Sequence, residues 1–404
     1  MYNEFAYNLG ASGSCIRDLA AYGDERAKVV GRENVFDFSI GNPSIPAPKE
    51  IGDTVRKLLD EMDSLDLHGY TPAVGSYATR QAIAEDLNCR YDAGIRAEDL
   101  FITCGAAPGL TAVFRALATE NAELLAVAPF FPEYRPFAEG AGLKFKVVPA
   151  DVPAFQINLD ELDAMLNPNT AAIILNSPNN PSGVVYSEET VKAVCEVLSK
   201  KSREYGHAIY LIADEPYREL VYSDVTVPYL MNYYENTLVC YSYSKSLSLP
   251  GERIGYIAVS PKMEDGTNIY LAVCGAGRSL GYVCAPSLFQ QVIAGCIDAK
   301  VNVEAYKENR DILYNNLTAY GYECVKPDGA FYLFVKALEE DSNAFCEKAK
   351  EFAISQSYDV SYGARPLKRL IQQEIEDSQE VIEETVAEKW LEEFTPELVR
   401  TTSA

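Results

Sequence analysis

The sequence predicts an α/β fold: a mostly parallel sheet covered on both faces by helices, with a smaller α+β unit attached. Three observations predict it. First, apolar runs of strand length recur at residues 124–130 (LLAVAPF), 171–175 (AAIIL), 208–213 (AIYLIA), 238–243 (LVCYSY) and 253–260 (RIGYIAVS). They are continuous rather than alternating, as in strands buried on both sides. Second, helical spacing fills the intervals. In 190–201, for example, Val191, Val194, Cys195 and Leu198 fall on one face. Third, polar residues follow the runs directly: Asn176-Ser177-Pro178, Asp214-Glu215 and Ser244-Lys245. Open α/β sheets bind their ligands at those strand ends.

The remaining elements follow in order. Residues 298–320 keep helical spacing, Lys326-Pro327-Asp328-Gly329 is a turn cluster, 330–335 reads as a strand and 342–352 as a helix. Residues 371–400 hold ten acidic side chains against two basic, a net of −8, on two amphipathic helical patterns. The expected organisation is an N-terminal arm with part of the small domain at 1–42, a large domain at 43–297, a small domain at 298–352 and an acidic helical tail at 353–404.

The 404 residues are 48% hydrophobic and 23% charged, a globular balance. A net charge of −24 repels nucleic-acid phosphates and anionic lipid, so neither partner is expected. No apolar run approaches the roughly 20 residues of a membrane span, and residues 1–11 lack the basic start and apolar core of a signal peptide. The ten cysteines form no CxxC pair and are expected as reduced, buried residues of a cytoplasmic protein. The two histidines, His68 and His207, sit in no zinc or triad motif, so no metal is expected.

The chemistry centres on Lys245, which ends an apolar run. Partial desolvation lowers a lysine's pKa and makes its amine a nucleophile. Ser242 and Ser244 flank it, and Arg253 follows in Pro250-Gly251-Glu252-Arg253-Ile254-Gly255-Tyr256. An amine with hydroxyls and an arginine suits a phosphorylated aldehyde. Upstream, Asn176 through Gly183 reads as a polar turn. Asp214 is a carboxylate at a buried strand end, which needs a cationic partner such as a protonated pyridine nitrogen, or else serves as a helix N-cap. Gly105-Ala106-Ala107 opens a helix whose N-terminus can receive a phosphate.

Together these strings resemble the class I/II aminotransferases, pyridoxal-phosphate enzymes of fold type I. The resemblance covers about residues 1–352. It rests on Gly41-Asn42-Pro43, His68-Gly69-Tyr70, Gly105-Ala106-Ala107, residues 129–134 (PFFPEY), 176–183 (NSPNNPSG), 214–217 (DEPY), Ser242 through Lys245 with Arg253, and 327–332 (PDGAFY). It implies that Lys245 condenses with the cofactor's aldehyde and later shuttles a proton. It further implies that Asp214 keeps the ring nitrogen protonated, that Tyr217 and Asn180 donate to the ring's phenolic oxygen, and that Phe131 stacks on the ring. Ala106, Ala107, Ser242, Ser244 and Arg253 match the phosphate cradle. Tyr70 matches a tyrosine that reaches the partner subunit's phosphate, which implies a homodimer. Gly41 and Asn180 match positions beside the substrate carboxylate. The implied activity is transfer of an amino group between an amino acid and a 2-oxo acid.

The family's C-terminal arginine string has no counterpart. Residues 355–376, with YGARPLKRLIQQEIE, instead resemble the C-terminal domain of Clp-type unfoldase ATPases. The small domain is therefore expected to be incomplete and activity impaired, unless Arg365 or Arg369 substitutes. A pyridoxal-phosphate C–S lyase, a decarboxylase or a catalytically dead binding protein remains an alternative at this level.

Overall fold

The computed structural model describes residues 1–346 and 348, apart from 12–14, 36–40 and 223–224. The acidic helical patterns at 371–400, the Clp-like stretch and Arg365 and Arg369 lie outside these residues. The chain divides into two compact units. One comprises Met1–Ser44, Asn309–Cys324 and the described residues from Phe334 on; the other comprises Ile45–Glu308 with Val325–Leu333.

The second unit is built on a seven-stranded sheet. Its strands are β1 (Leu100–Thr103), β2 (Glu123–Val127), β3 (Lys144–Val148), β4 (Thr170–Asn176), β5 (Tyr210–Asp214), β6 (Thr237–Ser242) and β7 (Gly255–Val259), in the order β1-β7-β6-β5-β4-β2-β3. The pairs β2–β3, β2–β4, β4–β5 and β5–β6 are parallel, whereas β7 runs antiparallel to both β6 and β1. The five apolar runs became β2, β4, β5, β6 and β7. The two strands not anticipated have physical reasons. β1 is only four residues long, and β3 is an edge strand whose Lys144 and Lys146 are exposed, which breaks the apolar run.

Alternate residues of each strand feed separate cores. Leu125, Val127, Ile173, Leu175, Leu211 and Val239 pack into one cluster, and Leu124, Ala126, Ile174, Ile212 and Leu238 into another. This is the period-two consequence of a sheet covered on both faces. Each fully buried Leu or Ile contributes about 1.5–3 kcal/mol of burial.

The helix anticipated at 190–201 spans Glu188–Tyr205. Ser187 starts it by accepting from the Thr190 N–H, and Gly206 ends it in the left-handed region at φ 75°. The long helix anticipated at 298–320 spans Val303–Ala319. Residues 330–335 do not form the expected strand. Ala330 takes φ +57°, which breaks an extended run, and Gly329 and Val335 make only isolated bridges, to Val221 and Cys324. Cys195, Cys240 and Cys296 are buried as expected, but Cys89 and Cys346 are exposed, Cys89 on the outer face of the helix Tyr77–Tyr91. Among the described residues, no helix is long and apolar enough to cross a membrane.

Candidate active site

Parallel pairing brings three strand ends side by side. Asn176 of β4 pairs with Asp214 of β5, which pairs with Cys240 of β6, two residues before Ser242. The polar residues that follow the apolar runs therefore meet at one edge of the sheet.

Asp214 is 5% exposed. Its Oδ2 accepts a hydrogen bond from the Tyr134 hydroxyl, while its Oδ1 is buried with no hydrogen-bond partner among the described residues. Burial pushes this carboxyl up to about 7; the Tyr134 hydrogen bond opposes the rise and the neighbouring Glu215 adds to it. A buried orphaned carboxylate oxygen is unfavourable by itself and is satisfied by a cationic donor. The turn carrying Asp214 is held by its neighbours. Asn176 donates to the Asp214 carbonyl at 2.7 Å, Arg218 Nε donates to Glu215 at 2.6 Å, and the Arg218 guanidinium lies 5.2 and 5.0 Å from the Tyr91 and Tyr229 ring centres.

Lys245 lies in the single-turn helix Tyr243–Ser246, whose N-cap Ser242 accepts from the Ser244 N–H. Burial, then repulsion from Arg253, brings its amine down to about 8. Nζ stands 5.2 Å from the centre of the Phe331 ring. At that pKa the amine is half neutral near pH 8, far more than an ordinary lysine, and the neutral form is the one needed for nucleophilic attack.

Ser242, Ser244, Arg253 and the helix Ala106–Leu117 converge. The Ser242 and Ser244 hydroxyls are 2.6 Å apart, and Ser242 pairs in register with Gly255, where an added Cβ would come 3.1 Å from the Gly105 Cα. Gly105, at φ +94°, precedes Ala106 and Ala107, and a Cβ there would come 2.8 Å from Arg253 Nη2. The φ of +94° favours glycine at 105, and Gly255 is required because a Cβ there would overlap the Tyr241 carbonyl, so the backbones of Gly105 and Gly255 lie close together beside Arg253 at the start of a twelve-residue helix.

Asn180 Nδ2 donates to the Tyr217 hydroxyl across a long 3.4 Å, and Tyr217 Oη is 2.6 Å from Tyr332 Oη. Phe131 packs edge-on against Tyr134 at 5.6 Å, which ties it to Asp214 through that ring. Tyr70 is 89% exposed, and Gly41 belongs to the other unit. Sequence reasoning named Lys245, Asp214, Asn180 and Tyr217 but missed Tyr134, Phe331 and Tyr332 as contributors. All three lie in 129–134 or 327–332, yet only the folded chain shows that their rings meet those residues.

A family model described as aminotransferase class I and II matches residues 33–371. The chain is 31% identical over 312 residues to a probable N-acetyl-LL-diaminopimelate aminotransferase of Bacillus subtilis, covering 76% of this chain and 75% of that one. It is 28% identical over 333 residues to an aspartate aminotransferase of Thermotoga maritima, covering 81% and 84%. A crystal structure of an amino transferase from Eubacterium rectale matches with a TM-score of 0.85 at 57% identity, over 87% of this chain and 88% of that one.

Fold and comparisons together define a pyridoxal-phosphate enzyme of fold type I. Its donor set fits the cofactor: the orphaned Asp214 Oδ1 suits a ring-nitrogen cation, and the Gly105–Arg253 approach suits a phosphate. The chain belongs to the class I and II aminotransferases, and it transfers an amino group between an amino acid and a 2-oxo acid. The family match runs past 352, where the resemblance was expected to stop, and through 355–371. The comparisons therefore extend the aminotransferase assignment into that stretch and give no support to its likeness to Clp-type unfoldases.

Proposed function

We propose that transamination at this site is divided among the residues as follows. Asp214 holds the cofactor's ring nitrogen cationic through Oδ1, while Tyr134 keeps Oδ2 occupied. Tyr217 and Asn180 donate to the ring's phenolic oxygen, and Phe131 covers the ring. Ser242, Ser244, Arg253 and the amides of Ala106 and Ala107 bind the phosphate. When bound, the cofactor supplies a reactive aldehyde carbon and a cationic ring that draws electrons from the substrate's Cα. Lys245 Nζ would take the proton from that Cα and deliver it to the carbon that had been the cofactor's aldehyde, the reverse transfer following in the second half of the cycle. Asn180 also serves the substrate carboxylate, a role that the family resemblance gives to Gly41 as well. The working form is a cytoplasmic homodimer in which Tyr70 serves the partner's phosphate, and its exposure in one chain supports that reading.

The observation that carries this reading is the unpartnered, buried Oδ1 of Asp214 at the strand end next to β6. The experiment is a donor screen on purified, cofactor-loaded protein. Aspartate comes first, because a relative of this chain carries that name. The expected result is 2-oxo acid from the donor only when 2-oxoglutarate is supplied. Ammonia and pyruvate released with no acceptor would make the protein a lyase instead.

A further expectation concerns Gly105. Alanine there places a methyl group against Arg253 at a backbone angle L-residues avoid. Gly105→Ala should weaken cofactor retention on dialysis by roughly tenfold or more, a change of about 1.4 kcal/mol. Retention equal to wild type would remove Gly105 and Arg253 from the cradle.

A further inference from the structure

A phenol carries one proton and accepts through its oxygen. Among the described residues the Tyr217 hydroxyl has two hydrogen-bonding neighbours. Asn180 Nδ2 can only donate to it, at 3.4 Å, while Tyr332 Oη, at 2.6 Å, can donate or accept. If Tyr217 donates to Tyr332, its single proton is used there. If Tyr332 donates, Tyr217 accepts twice and its proton remains for a third group. Burial pushes both phenols upward, Tyr332 to about 12, so both keep their protons through the ordinary pH range.

The chain fixes this contact firmly. Residues 325–333 are fastened to the rest of their unit by Asp328 N and Gly329 N donating to the Gly183 carbonyl at 2.9 and 3.0 Å, and by Ala330 N donating to Leu220 O at 2.8 Å. Gly183 stands at φ +73°, and a Cβ on it would come 2.5 Å from Pro327 Cβ and 3.1 Å from Tyr332 O. The Tyr217 and Tyr332 rings meet edge-on, at 5.5 Å and 81°, which lets their hydroxyls touch. The adjoining Phe331 lies beneath Lys245 Nζ.

We infer that Tyr332 is a positioning residue for Tyr217: its hydroxyl donates to Tyr217 Oη, which leaves the Tyr217 proton aimed at the phenolic oxygen of the cofactor ring. A hydroxyl that accepts two hydrogen bonds is polarised and donates more strongly. The inference rests on the proposed role of Tyr217.

The test reads the absorbance of the bound cofactor against pH in loaded wild type, Tyr217→Phe, Tyr332→Phe and the double variant. A ring oxygen without its donor holds a shared proton more tightly, so Tyr217→Phe moves the midpoint upward. Tyr332→Phe keeps the ring and its packing; it should move the midpoint the same way by a smaller interval. The double variant should move it no further than Tyr217→Phe alone, because one contact acts through the other. Cofactor retention should fall roughly threefold to tenfold in Tyr332→Phe, as for one lost hydrogen bond. A wild-type midpoint in Tyr332→Phe, or a double variant that sums the two shifts, overturns the inference while leaving Tyr217's role intact. An unmoved midpoint in Tyr217→Phe overturns both.

Discussion

Lys245→Ala should abolish transamination, by roughly four orders of magnitude or more. General base catalysis alone contributes about 10²–10⁴, and the covalent nucleophile adds to it. Wild-type protein treated with borohydride should carry the cofactor on the peptide containing Lys245, and the variant should carry none. Turnover that survives, or cofactor fixed to another lysine, would overturn the assignment. The same amine has a cost for the unloaded fold. Its pKa lies at about 8 in the folded chain, against an ordinary value of 10.5. Below about 8 the amine is charged in both folded and unfolded chains, so the full desolvation cost is present. Between the two values the unfolded chain binds the extra proton, and stability rises with pH. Lys245→Met keeps the buried stem without the charge. It should therefore stabilise the cofactor-free protein below pH about 8, by a few kcal/mol at most, and the advantage should fade as pH climbs toward 10.5. Denaturant melts across that range check the sign.

Asp214→Asn should be nearly as damaging to turnover and opposite in its pH signature. The Asp214 carboxyl lies at about 7 when folded, against an ordinary 3.8. Between those values the folded chain holds a proton that the unfolded chain has lost, so the stability of the cofactor-free protein falls as pH rises through the interval. Above about 7 the buried carboxylate carries its whole penalty, on the order of 4 kcal/mol. The Asn variant escapes it. Without cofactor it should melt higher than wild type above pH about 7 and equally below about 4. With cofactor the order should reverse, because only the carboxylate gains from a ring cation. A cofactor-free wild type that outlasts the Asn variant in alkali would contradict the orphaned oxygen.

Much of this was legible in the residues. Lys245, Asp214, Asn180 and Tyr217 stand at strand ends or in turn strings, where order along the chain alone suggests a shared edge. The proposed cradle was anticipated through small residues, since Gly105, Ala106 and Ala107 would admit an anion by lacking bulk. Tyr134 and Tyr332 were not, because a buried tyrosine in an apolar string looks the same whether its hydroxyl meets a carboxylate, a phenol or nothing. The 330–335 stretch was misread for a similar reason. Its apolar and aromatic residues favour a strand, but Ala330 at its start donates to the Leu220 carbonyl and turns to φ +57° instead. β3 was lost because its alternation was judged against continuous runs, a pattern suited only to strands inside the sheet.

That outer strand has a consequence for behaviour in a crowded cell. An open flank of a sheet is a template on which identical chains can stack into insoluble fibres. Lys144 and Lys146 stand exposed on one face of this flank, Lys144 donating to Asn121 Oδ1 at 3.0 Å, and a second copy laid against it would have to bury charge beside its own. The pair fits the role of a gatekeeper, and exchanging both for valine should raise the share of the chain that precipitates as it is made.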